Sequence, residues 1–268
     1  MNFSVQDLGL EGSVLIVIPT FNEALNILRL LEAVHEKVPH AKALVVDDNS
    51  PDGTSALVGV YARKHPWVHL LTRSRKEGLG PAYFEGFRFA VQHKAMKVIQ
   101  MDSDFSHDPA ALPGLLAVGN ADPTLDLIIG SRYVSGGKTE HWGLHRRLLS
   151  RWGNRYARWV LRSAIFDLTG GFNLWRRDFL EKILPLGTLS KGYAFQAELK
   201  HLACLHGARW KEMPIVFCDR TRGESKMSPR IGWEALYALW VIGRSSSSRK
   251  AALALTSQRA HGEYSSPH

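Results

Sequence analysis

The sequence lacks several features that would place it in other protein classes. Its 268 residues include only two cysteines, Cys204 and Cys218, and neither these nor the 12 histidines show the spacing of a zinc or redox motif. No apolar run approaches the roughly 20 residues that span a bilayer, and the N-terminus lacks the pattern of a secretory signal. We therefore expect a cytoplasmic chain without a transmembrane helix, at most peripheral on the cytoplasmic face of a membrane.

Two nucleotide-binding signatures are also missing. No Gly-x-Gly-x-x-Gly follows the first predicted strand and no Walker A sequence is present, which argues against a dinucleotide oxidoreductase and a P-loop NTPase. Acidic residues are too few to balance the basic ones, so the net charge is +9 and anionic partners are expected. The chain contains no recognised nucleic-acid-binding motif. We therefore expect no nucleic acid partner, and favour nucleotides or an anionic membrane surface.

The composition that remains is that of a globular protein. Hydrophobic residues make up 45% and charged residues 22%, and the length suffices for one large domain with a buried core. After residue 244 the chain becomes rich in serine, lysine and arginine and loses its hydrophobic periodicity. We predict a single domain over residues 1–244 and a disordered basic tail over residues 245–268.

Strands and helices are predicted to alternate along the chain. Apolar, β-branched runs predict buried strands at 13–19, 43–46, 68–71, 97–101, 126–130 and 210–217. Helical periodicity predicts helices over about 24–37, 55–64, 82–93, 143–165, 177–184, 192–206 and 231–243. This alternation is typical of an α/β fold with a doubly wound, mostly parallel sheet and helices on both faces. Asn22 is expected to cap the first helix, and residues 136–138 are expected to form a mobile loop.

Acidic residues follow two of the predicted strands. Asp47 and Asp48 follow the second strand, and Asp102 and Asp104 follow the strand that ends at Met101. Ligands bind at the carboxyl ends of parallel strands, and hard divalent cations share carboxylate oxygens with phosphates. The Asp-x-Asp pair therefore predicts a metal and diphosphate site, against the alternative of a polar turn. For Asp48 the alternative to ligand binding is capping of the next helix.

The helix predicted over residues 143–165 has two unlike faces. At about 100° per residue, five arginines share an arc of roughly 80°, and they are Arg147, Arg151, Arg155, Arg158 and Arg162. Apolar and aromatic residues, including Trp152 and Trp159, occupy the adjoining arc. This pattern predicts an amphipathic helix in a membrane interface. The alternative is a surface helix whose apolar side packs on the core. The apolar helix over 231–243 is too short to span a bilayer, and fits either an interfacial or a core position.

A basic loop follows the last predicted strand. Arg220, Arg222 and Lys226 lie within seven residues of one another, and cations so placed would suit a diphosphate. The alternative is a solvated basic loop. Residues 167–173 offer a tight turn and one carboxylate.

Taken in order, these motifs resemble the inverting glycosyltransferases of family two, which have the GT-A, Rossmann-like fold. That resemblance rests on residues 19–23, 46–54 and 102–104. The closer resemblance is to the dolichyl-phosphate (polyprenyl-phosphate) mannose synthases. It rests on residues 78–80, 104–107, 130–133, 167–172, 191–196 and 219–226. Each motif alone is weak, but the ordered set extends over roughly residues 13–230.

The resemblance implies an activity. This is inverting transfer of mannose from GDP-mannose to the phosphate of a polyprenyl (dolichyl-type) monophosphate, with Mg²⁺ or Mn²⁺ as cofactor. The nucleotide-sugar half would lie at about 13–125 and the acceptor half at about 126–244. The membrane surface would be a further partner, and a membrane-anchoring partner subunit is left open. The alternative is another donor, such as UDP-glucose or UDP-GlcNAc.

The resemblance also implies roles for individual residues. Those that would bind the nucleotide sugar are Pro19, Phe21, Glu23, Val46, Asp48, Asp102, Ser103, Asp104, Arg132, Arg220 and Lys226. Those that would bind the acceptor phosphate are Arg132, Arg146 and Ser150. Asp104 would be the principal metal ligand, and Ser106 stands where some family members have a glutamine ligand. Asp104, Arg132 and Arg220 would be the catalytic residues.

The residue types also fit this chemistry directly. A leaving diphosphate needs neutralisation, which a metal on Asp104 together with Arg220 and Lys226 can supply. An acceptor phosphate is already anionic and needs cations to position it rather than a strong general base. The intact Asp102, Asp104, Arg132 and Lys226 argue against a non-catalytic sugar-nucleotide-binding subunit.

Overall fold

The computed structural model describes residues 8–192, 194–219 and 232–245. The strands are β1 (Val14–Thr20), β2 (Lys42–Asp47), β3 (Val68–Thr72), β4 (Lys97–Gln100), β5 (Leu127–Ser131), β6 (Lys138–Thr139), β7 (Asn173–Arg176), β8 (Trp210–Pro214) and β9 (Val216–Phe217). The helices are α1 (Ile27–Lys37), α2 (Thr54–Lys64), α3 (Leu79–Gln92), α4 (Leu112–Ala121), α5 (Leu144–Leu161), α6 (Arg177–Ile183), α7 (Ala194–Leu205) and α8 (residues 232–245). Short 3-10 helices, Pro109–Ala111 and Leu184–Leu186, adjoin α4 and α6.

A mixed sheet of seven strands forms the centre of the protein, with the order β3-β2-β1-β4-β7-β5-β8. β1 pairs in parallel with β2 and with β4, and β5 pairs in parallel with β8. β7 lies antiparallel between β4 and β5. The predicted α/β fold with a mostly parallel sheet is confirmed. The carboxyl ends of β1 and β4 form the switch point at which open sheets of this kind bind ligands.

β7 is not predicted from the sequence, where residues 167–173 are predicted to form a tight turn. Only Leu174 and Trp175 of its four residues are apolar, which is too short a run for a periodicity to be recognised. Tertiary contacts hold the strand instead. The side chains of Asn173 and Trp175 donate to the amide oxygen of Gln100 on β4, at 3.0 and 2.6 Å.

Apolar side chains pack on both faces of the sheet, as alternation along β1 requires. Val17 belongs to the core cluster on one face, together with Phe87 and Trp175, and Ile16 belongs to the cluster on the other face. α3 lies very close to β1 because Gly86 has no side chain. A Cβ added at Gly86 would lie 2.3 Å from Cγ1 of Val17.

The loop between β1 and α1 differs from the prediction. α1 begins at Ile27, and Asn22 does not cap it, because Asn22 has the left-handed backbone with φ of 59°. Its backbone N–H donates to Ser50 Oγ at 3.0 Å, and the N–H of Ala24 donates to the Asp52 carboxylate at 3.0 Å. The β2–α2 loop therefore holds the β1–α1 loop at the carboxyl end of the sheet.

The strand predicted at residues 210–217 is divided at Ile215. β8 belongs to the central sheet, whereas β9 pairs with β6 in a second sheet of two strands. Of residues 136–138, predicted as a mobile loop, Gly136 and Gly137 end a tight turn closed by a hydrogen bond from Gly137 N–H to the Val134 carbonyl, and Lys138 begins β6. A Cβ at Gly137 would lie 2.5 Å from the carbonyl oxygen of Ser131, so only glycine fits this approach. The small sheet brings Phe217 next to the candidate site.

α5 and α8 each expose aromatic side chains. α5 buries Ala157 and Leu161 but leaves Trp152 and Trp159 exposed, at 54% and 76%. Part of the apolar side of α5 therefore packs on the core, as the alternative expects, while Trp152 and Trp159 remain in solvent. Contact with a membrane stays a prediction. Trp233 of α8 is also exposed, at 73%, although other α8 residues reach the core. Within the described part of the chain, no helix is both long enough and apolar enough to cross a membrane.

Candidate active site

The Asp-x-Asp turn lies at the carboxyl end of β4, beside the end of β1. The backbone N–H of Asp102 donates to Nδ1 of His107 at 3.0 Å, and the hydroxyl of Tyr83 donates to the Asp102 carboxylate at 3.1 Å. The backbone N–H of Ser106 donates to Oδ1 of Asp104 at 3.1 Å. Phe105 adopts φ of 62°, which reverses the chain between the carboxylates and His107. The turn is therefore fixed by local hydrogen bonds from both sides.

His107 is neutral in this arrangement. Its Nδ1 accepts a hydrogen bond from a backbone N–H, so the ring proton is on Nε2. Burial lowers the pKa of His107, although the carboxylates of Asp102 and Asp104 oppose that shift. The imidazole stacks on Phe172, with ring centroids 5.0 Å apart. His107 therefore acts as a neutral support of the turn.

The turn offers oxygen ligands suited to a hard divalent cation. Asp104 is nearly buried, and one of its carboxylate oxygens accepts the Ser106 N–H. No group of three or more His, Cys, Asp or Glu side chains in the described residues could hold a metal. A cation that keeps waters and substrate phosphates as ligands needs only one or two carboxylates from the protein. The donor set at Asp102 and Asp104 fits such an ion, and Ser106 as a second ligand stays a prediction.

The predicted nucleotide-binding residues lie at the ends of β1 and β2. Pro19 and Val46 are opposite each other in the parallel register. Val46 is fully buried in the core, so a contact to a ligand would have to come from its main chain. Phe21 is partly exposed, and the ammonium of Lys76 lies 3.8 Å from its ring centroid. Glu23 accepts a hydrogen bond from the Asn26 amide at 2.9 Å.

The two carboxylates after β2 have different surroundings. Asp47 accepts hydrogen bonds from Thr20 and Ser50, so it is structural. Asp48 forms an ion pair with Arg73 at 2.5 Å. Burial raises the pKa of Asp48 more than Arg73 lowers it. Asp48 does not cap α2, whose N-cap residue is Gly53. Its pairing with Arg73 leaves the ribose role as a prediction.

Arg132 is held by a carboxylate that the sequence analysis did not pair with it. Its Nε and Nη2 donate to the two oxygens of Asp167 at 2.8 and 2.7 Å, and its backbone N–H donates to the same carboxylate at 3.0 Å. Nη2 also donates to Thr169 Oγ1 at 2.8 Å. Burial by itself would raise the pKa of Asp167, but the ion pair with Arg132 outweighs it and lowers the pKa to about 2. The guanidinium is therefore fixed in one orientation.

An aromatic cluster around Phe217 joins the two halves of the site. The Phe217 ring lies 5.3 Å from the His107 ring and 5.3 Å from the guanidinium carbon of Arg132. Trp142 packs edge-on against Phe217 at 5.4 Å, and the guanidinium of Arg146 lies over Trp142 at 4.3 Å. The structure thus connects the Asp-x-Asp turn, Arg132 and the start of α5 through direct contacts.

The remaining predicted acceptor residues lie at the start of α5. Arg146 forms an ion pair with Asp219 at 2.6 Å and stays partly exposed. The hydroxyl of Ser150 hydrogen-bonds with the hydroxyl of Tyr133 at 2.8 Å. Tyr133 follows Arg132 in the chain and packs against its guanidinium. Ser103 is buried in the Asp-x-Asp turn. Arg220 and Lys226 lie outside the described residues, so their roles stay predictions.

Sequence reasoning missed Arg73 and Lys200 and gave Asp167 no partner. Arg73 follows β3 directly and so meets the acidic end of β2, which strand adjacency could have indicated. Lys200 lies on a helix that also carries Gln196, Glu198 and His201, so the sequence pattern does not single it out as buried. No local pattern links Asp167 to Arg132.

The comparison with known proteins gives close relatives. Residues 15–184 match the family model for glycosyl transferase family 2. The polyprenol monophosphomannose synthase of Mycolicibacterium smegmatis is 42% identical over 231 residues, which span 85% of this chain and 86% of the relative. The undecaprenyl-phosphate mannosyltransferase of Micrococcus luteus is 42% identical over 223 residues, which span 83% of this chain and 90% of the relative.

Solved structures share the fold at low sequence identity. Glucosyl-3-phosphoglycerate synthase from Mycobacterium tuberculosis, with Mn²⁺, UDP and glucosyl-3-phosphoglycerate, gives a TM-score of 0.63 at 16% identity and covers 90% of this chain and 86% of that one. A mannosyltransferase from Pyrobaculum calidifontis, with GDP-Man and Mn²⁺, gives a TM-score of 0.53 at 18% identity. The match covers 95% of this chain and 81% of that one. The predicted GT-A fold and the resemblance to polyprenyl-phosphate mannose synthases are thus confirmed. The chain belongs to glycosyl transferase family 2.

Proposed function

We propose that this chain transfers mannose from GDP-mannose to the phosphate of a polyprenyl monophosphate, with inversion at the anomeric carbon. The observation that carries the proposal is the 42% identity to two relatives named for mannose and a polyprenol or undecaprenyl phosphate. The geometry supports it, because the Asp-x-Asp turn and Arg132 meet at one aromatic cluster.

A divalent cation, Mg²⁺ or Mn²⁺, is part of the proposal. Asp104 would hold it as the principal ligand, with Ser106 as the second candidate and phosphate oxygens and water completing the coordination. When bound, the cation neutralises charge that develops on the leaving diphosphate. Two solved structures of the same fold contain Mn²⁺. Arg220 and Lys226 would add positive charge beside the diphosphate.

The donor would bind across the ends of β1, β2 and β4. Phe21 would stack on the base, Asp48 would accept hydrogen bonds from the ribose, and Asp102 would help to hold the sugar diphosphate. In this arrangement the anomeric carbon would lie between the metal-binding turn and Arg132. Displacement from the face opposite the diphosphate then gives a β-linked product from an α-linked donor.

The acceptor side contains cations rather than a proton acceptor. A phosphate monoester is already anionic near neutral pH, so its oxygen attacks without losing a proton to the protein. Arg132 is fixed by Asp167 to orient this phosphate, and Arg146 and Ser150 would contact it from the start of α5. His107 cannot serve as the base in this geometry, because its Nδ1 accepts the Asp102 N–H.

We also propose that the protein is peripheral on the membrane that carries its acceptor. Leu148, Arg151, Trp152 and Arg155 of α5 line a shallow open groove that continues to Trp159. Exposed aromatic rings beside arginines suit the headgroup region of an anionic bilayer. α5 begins beside the acceptor-phosphate residues, so a polyprenyl tail could stay in the bilayer while its phosphate reaches Arg132.

The proposal is tested with purified chain, labelled GDP-mannose and a short polyprenyl phosphate in detergent, with Mn²⁺ or Mg²⁺ and an EDTA control. Metal-dependent labelled lipid is expected, and comparison of the two ions identifies the preferred one. UDP-glucose and UDP-GlcNAc are assayed as competing donors. Transfer from either of these, without transfer from GDP-mannose, would contradict the sugar assignment. Activity that appears only when a membrane-anchoring subunit is added would show that such a partner is needed.

A further inference from the structure

Lys200 is a fully buried lysine that the reaction as described above does not use. It lies on α7, where every described residue from Ala194 to Ala203 is buried. Its ammonium donates to the backbone carbonyl oxygens of Asp167 at 3.0 Å, Leu168 at 3.3 Å and Gly170 at 2.5 Å. An ammonium has three N–H donors and no acceptor, so three carbonyl oxygens match it completely.

These three carbonyls belong to the segment that holds Arg132. Asp167 binds the Arg132 guanidinium through both carboxylate oxygens, and the N–H of Gly170 donates to the same carboxylate at 2.9 Å. Lys200 therefore binds the backbone carbonyls of the same turn whose Asp167 carboxylate binds Arg132.

The segment has further supports from two other elements. Glu212 of β8 accepts the backbone N–H groups of Phe166 and Asp167 at 2.7 and 2.9 Å. Asn154 of α5 accepts the N–H of Leu168 at 3.0 Å. With these supports in place, removal of the Lys200 ammonium is expected to reorient the turn rather than to unfold it.

We propose that Lys200 is a positioning residue for the acceptor phosphate: by binding the carbonyls of residues 167, 168 and 170, it holds Asp167 and thereby the Arg132 guanidinium. This inference rests on the proposed function, in which Arg132 orients that phosphate. Lys200 itself is fully buried and does not touch the substrate. Its effect should therefore be larger on the use of the acceptor than on donor binding.

The charge on Lys200 also depends on its surroundings. Burial lowers its pKa to about 8, against the opposing effects of Asp167, Glu212 and Cys204, while Arg132 acts in the same direction as burial. Below this pH the ammonium can serve all three carbonyls. Above it, a neutral amine has two N–H donors and directs a lone pair at the third carbonyl oxygen. The hydrogen bonds that hold the turn at Asp167 should then weaken.

The test replaces Lys200 by methionine, which keeps the length of the side chain and removes its donors. Lys200→Met should raise the acceptor KM by about tenfold, the loss expected when a hydrogen bond to a charged group is removed. The donor KM should change less than the acceptor KM, because most of the predicted nucleotide-sugar residues lie at the ends of β1, β2 and β4, outside this turn. Lys182→Met is the matched control, because Lys182 is exposed and its ammonium donates to a carbonyl elsewhere, that of His206. The control should leave both constants unchanged.

The pH profile separates positioning from a purely structural role. Wild-type acceptor KM should rise above about pH 8, whereas the profile of Lys200→Met should lack this step. The second pKa of the acceptor phosphate is about 6, so the phosphate is dianionic on both sides of the step near pH 8. Lys200→Arg keeps the charge and should lie between wild type and Lys200→Met in acceptor KM.

Several results would overturn the inference. Unchanged constants in Lys200→Met would do so, and so would equal changes in the donor and acceptor KM values. If Lys200→Met fails to fold, the wild-type profile decides, and an acceptor KM that is flat between pH 7 and about 9 contradicts the inference. Failure of the proposed function looks different, because wild type would then transfer nothing to polyprenyl phosphate at any pH.

Discussion

Arg132 carries its positive charge where almost no solvent reaches it, and Asp167 is fully buried beside it. A buried ion pair of this kind need not add stability relative to apolar residues, but loss of one partner leaves an uncompensated charge. The pair is therefore best understood through what it orients. It fixes a guanidinium beside the Asp-x-Asp turn, and Asp102 and Asp104 supply the opposite charge.

Asp167→Asn is expected to destabilise the fold by about 3–5 kcal/mol, because the buried Arg132 would lose its counter-charge. Chemical denaturation at pH 7 measures this change. Asp178→Asn is the matched control, since Asp178 pairs with Arg177 at an exposed site and should cost at most about 1 kcal/mol. Equal effects of the two substitutions would contradict the importance of the buried pair.

The ion pair between Arg132 and Asp167 should also make the stability of the protein depend on pH under acid conditions. The pKa of Asp167 is lowered in the folded state to about 2, from about 3.9 in an unfolded chain. The stability that the ionised Asp167 contributes is thus fully present above its unfolded-state pKa and is lost as the pH falls toward 2. Wild type should therefore lose more stability than Asp167→Asn between about pH 5 and pH 2. Parallel acid profiles of the two proteins would be inconsistent with a lowered pKa.

Asp104→Asn should reduce transfer at least about a hundredfold while the unfolding midpoint stays close to that of wild type. The amide oxygen is a poorer ligand for a hard cation, and the fold does not depend on the Asp104 charge. Asp122→Asn is the control, because Asp122 is a partly exposed carboxylate that follows α4, away from the site. Near-normal turnover of Asp104→Asn with metal present would argue against the metal-binding role.

At the scale of elements, α5 has two structurally distinct parts. Its first turns bring Arg146 and Ser150 next to the site, and its outer surface exposes Trp152 and Trp159 beside arginines. The helix packs on the core through Ala157 and Leu161. A helix needed only for packing would not leave large aromatic side chains in solvent.

Arg151→Gln combined with Arg155→Gln should weaken flotation with anionic liposomes by roughly 30-fold, at about 1 kcal/mol for each basic residue near the surface. Binding to neutral liposomes should change little. Arg63→Gln on α2 is the control, since Arg63 is equally exposed on another helix. If flotation of the double variant equals that of the control, this face of α5 does not contact lipid.

The contact between α3 and β1 is also a property of elements. Gly86→Ala should destabilise the protein by about 1–3 kcal/mol, because the new methyl group would overlap Val17 in a packed core. Gly143→Ala adds the same methyl group where no atom lies within 4 Å, and should have little effect. Thermal unfolding of both variants measures the difference. Equal midpoints would mean that the helix can shift without cost.

At the scale of the whole molecule, the sequence was sufficient for the parallel strands of the sheet and for the position of the carboxylates that follow β2 and β4. Buried parallel strands are apolar runs, and a carboxylate that follows such a strand lies at the ligand-binding edge. The pairing of Arg132 with Asp167, 35 residues apart, and of Asp48 with Arg73, 25 apart, depends on tertiary packing. The formation of β7 also depends on tertiary packing, because its residues are buried by the neighbouring strands β4 and β5. Residue 245, predicted as the start of the tail, still belongs to α8, whereas residues 246–268 and the loop with Arg220 and Lys226 lie outside the described residues.

The structure of the lipid product would decide whether this chain transfers mannose to a polyprenyl phosphate with inversion. Purified chain, GDP-mannose and a short polyprenyl phosphate are incubated with Mn²⁺, and the lipid product is analysed by NMR for its phosphodiester and its anomeric configuration. We predict a β-linked mannosyl phosphate, formed by attack of the lipid phosphate opposite the leaving diphosphate. An α-linked product, or mannose attached anywhere except the phosphate, would contradict the account.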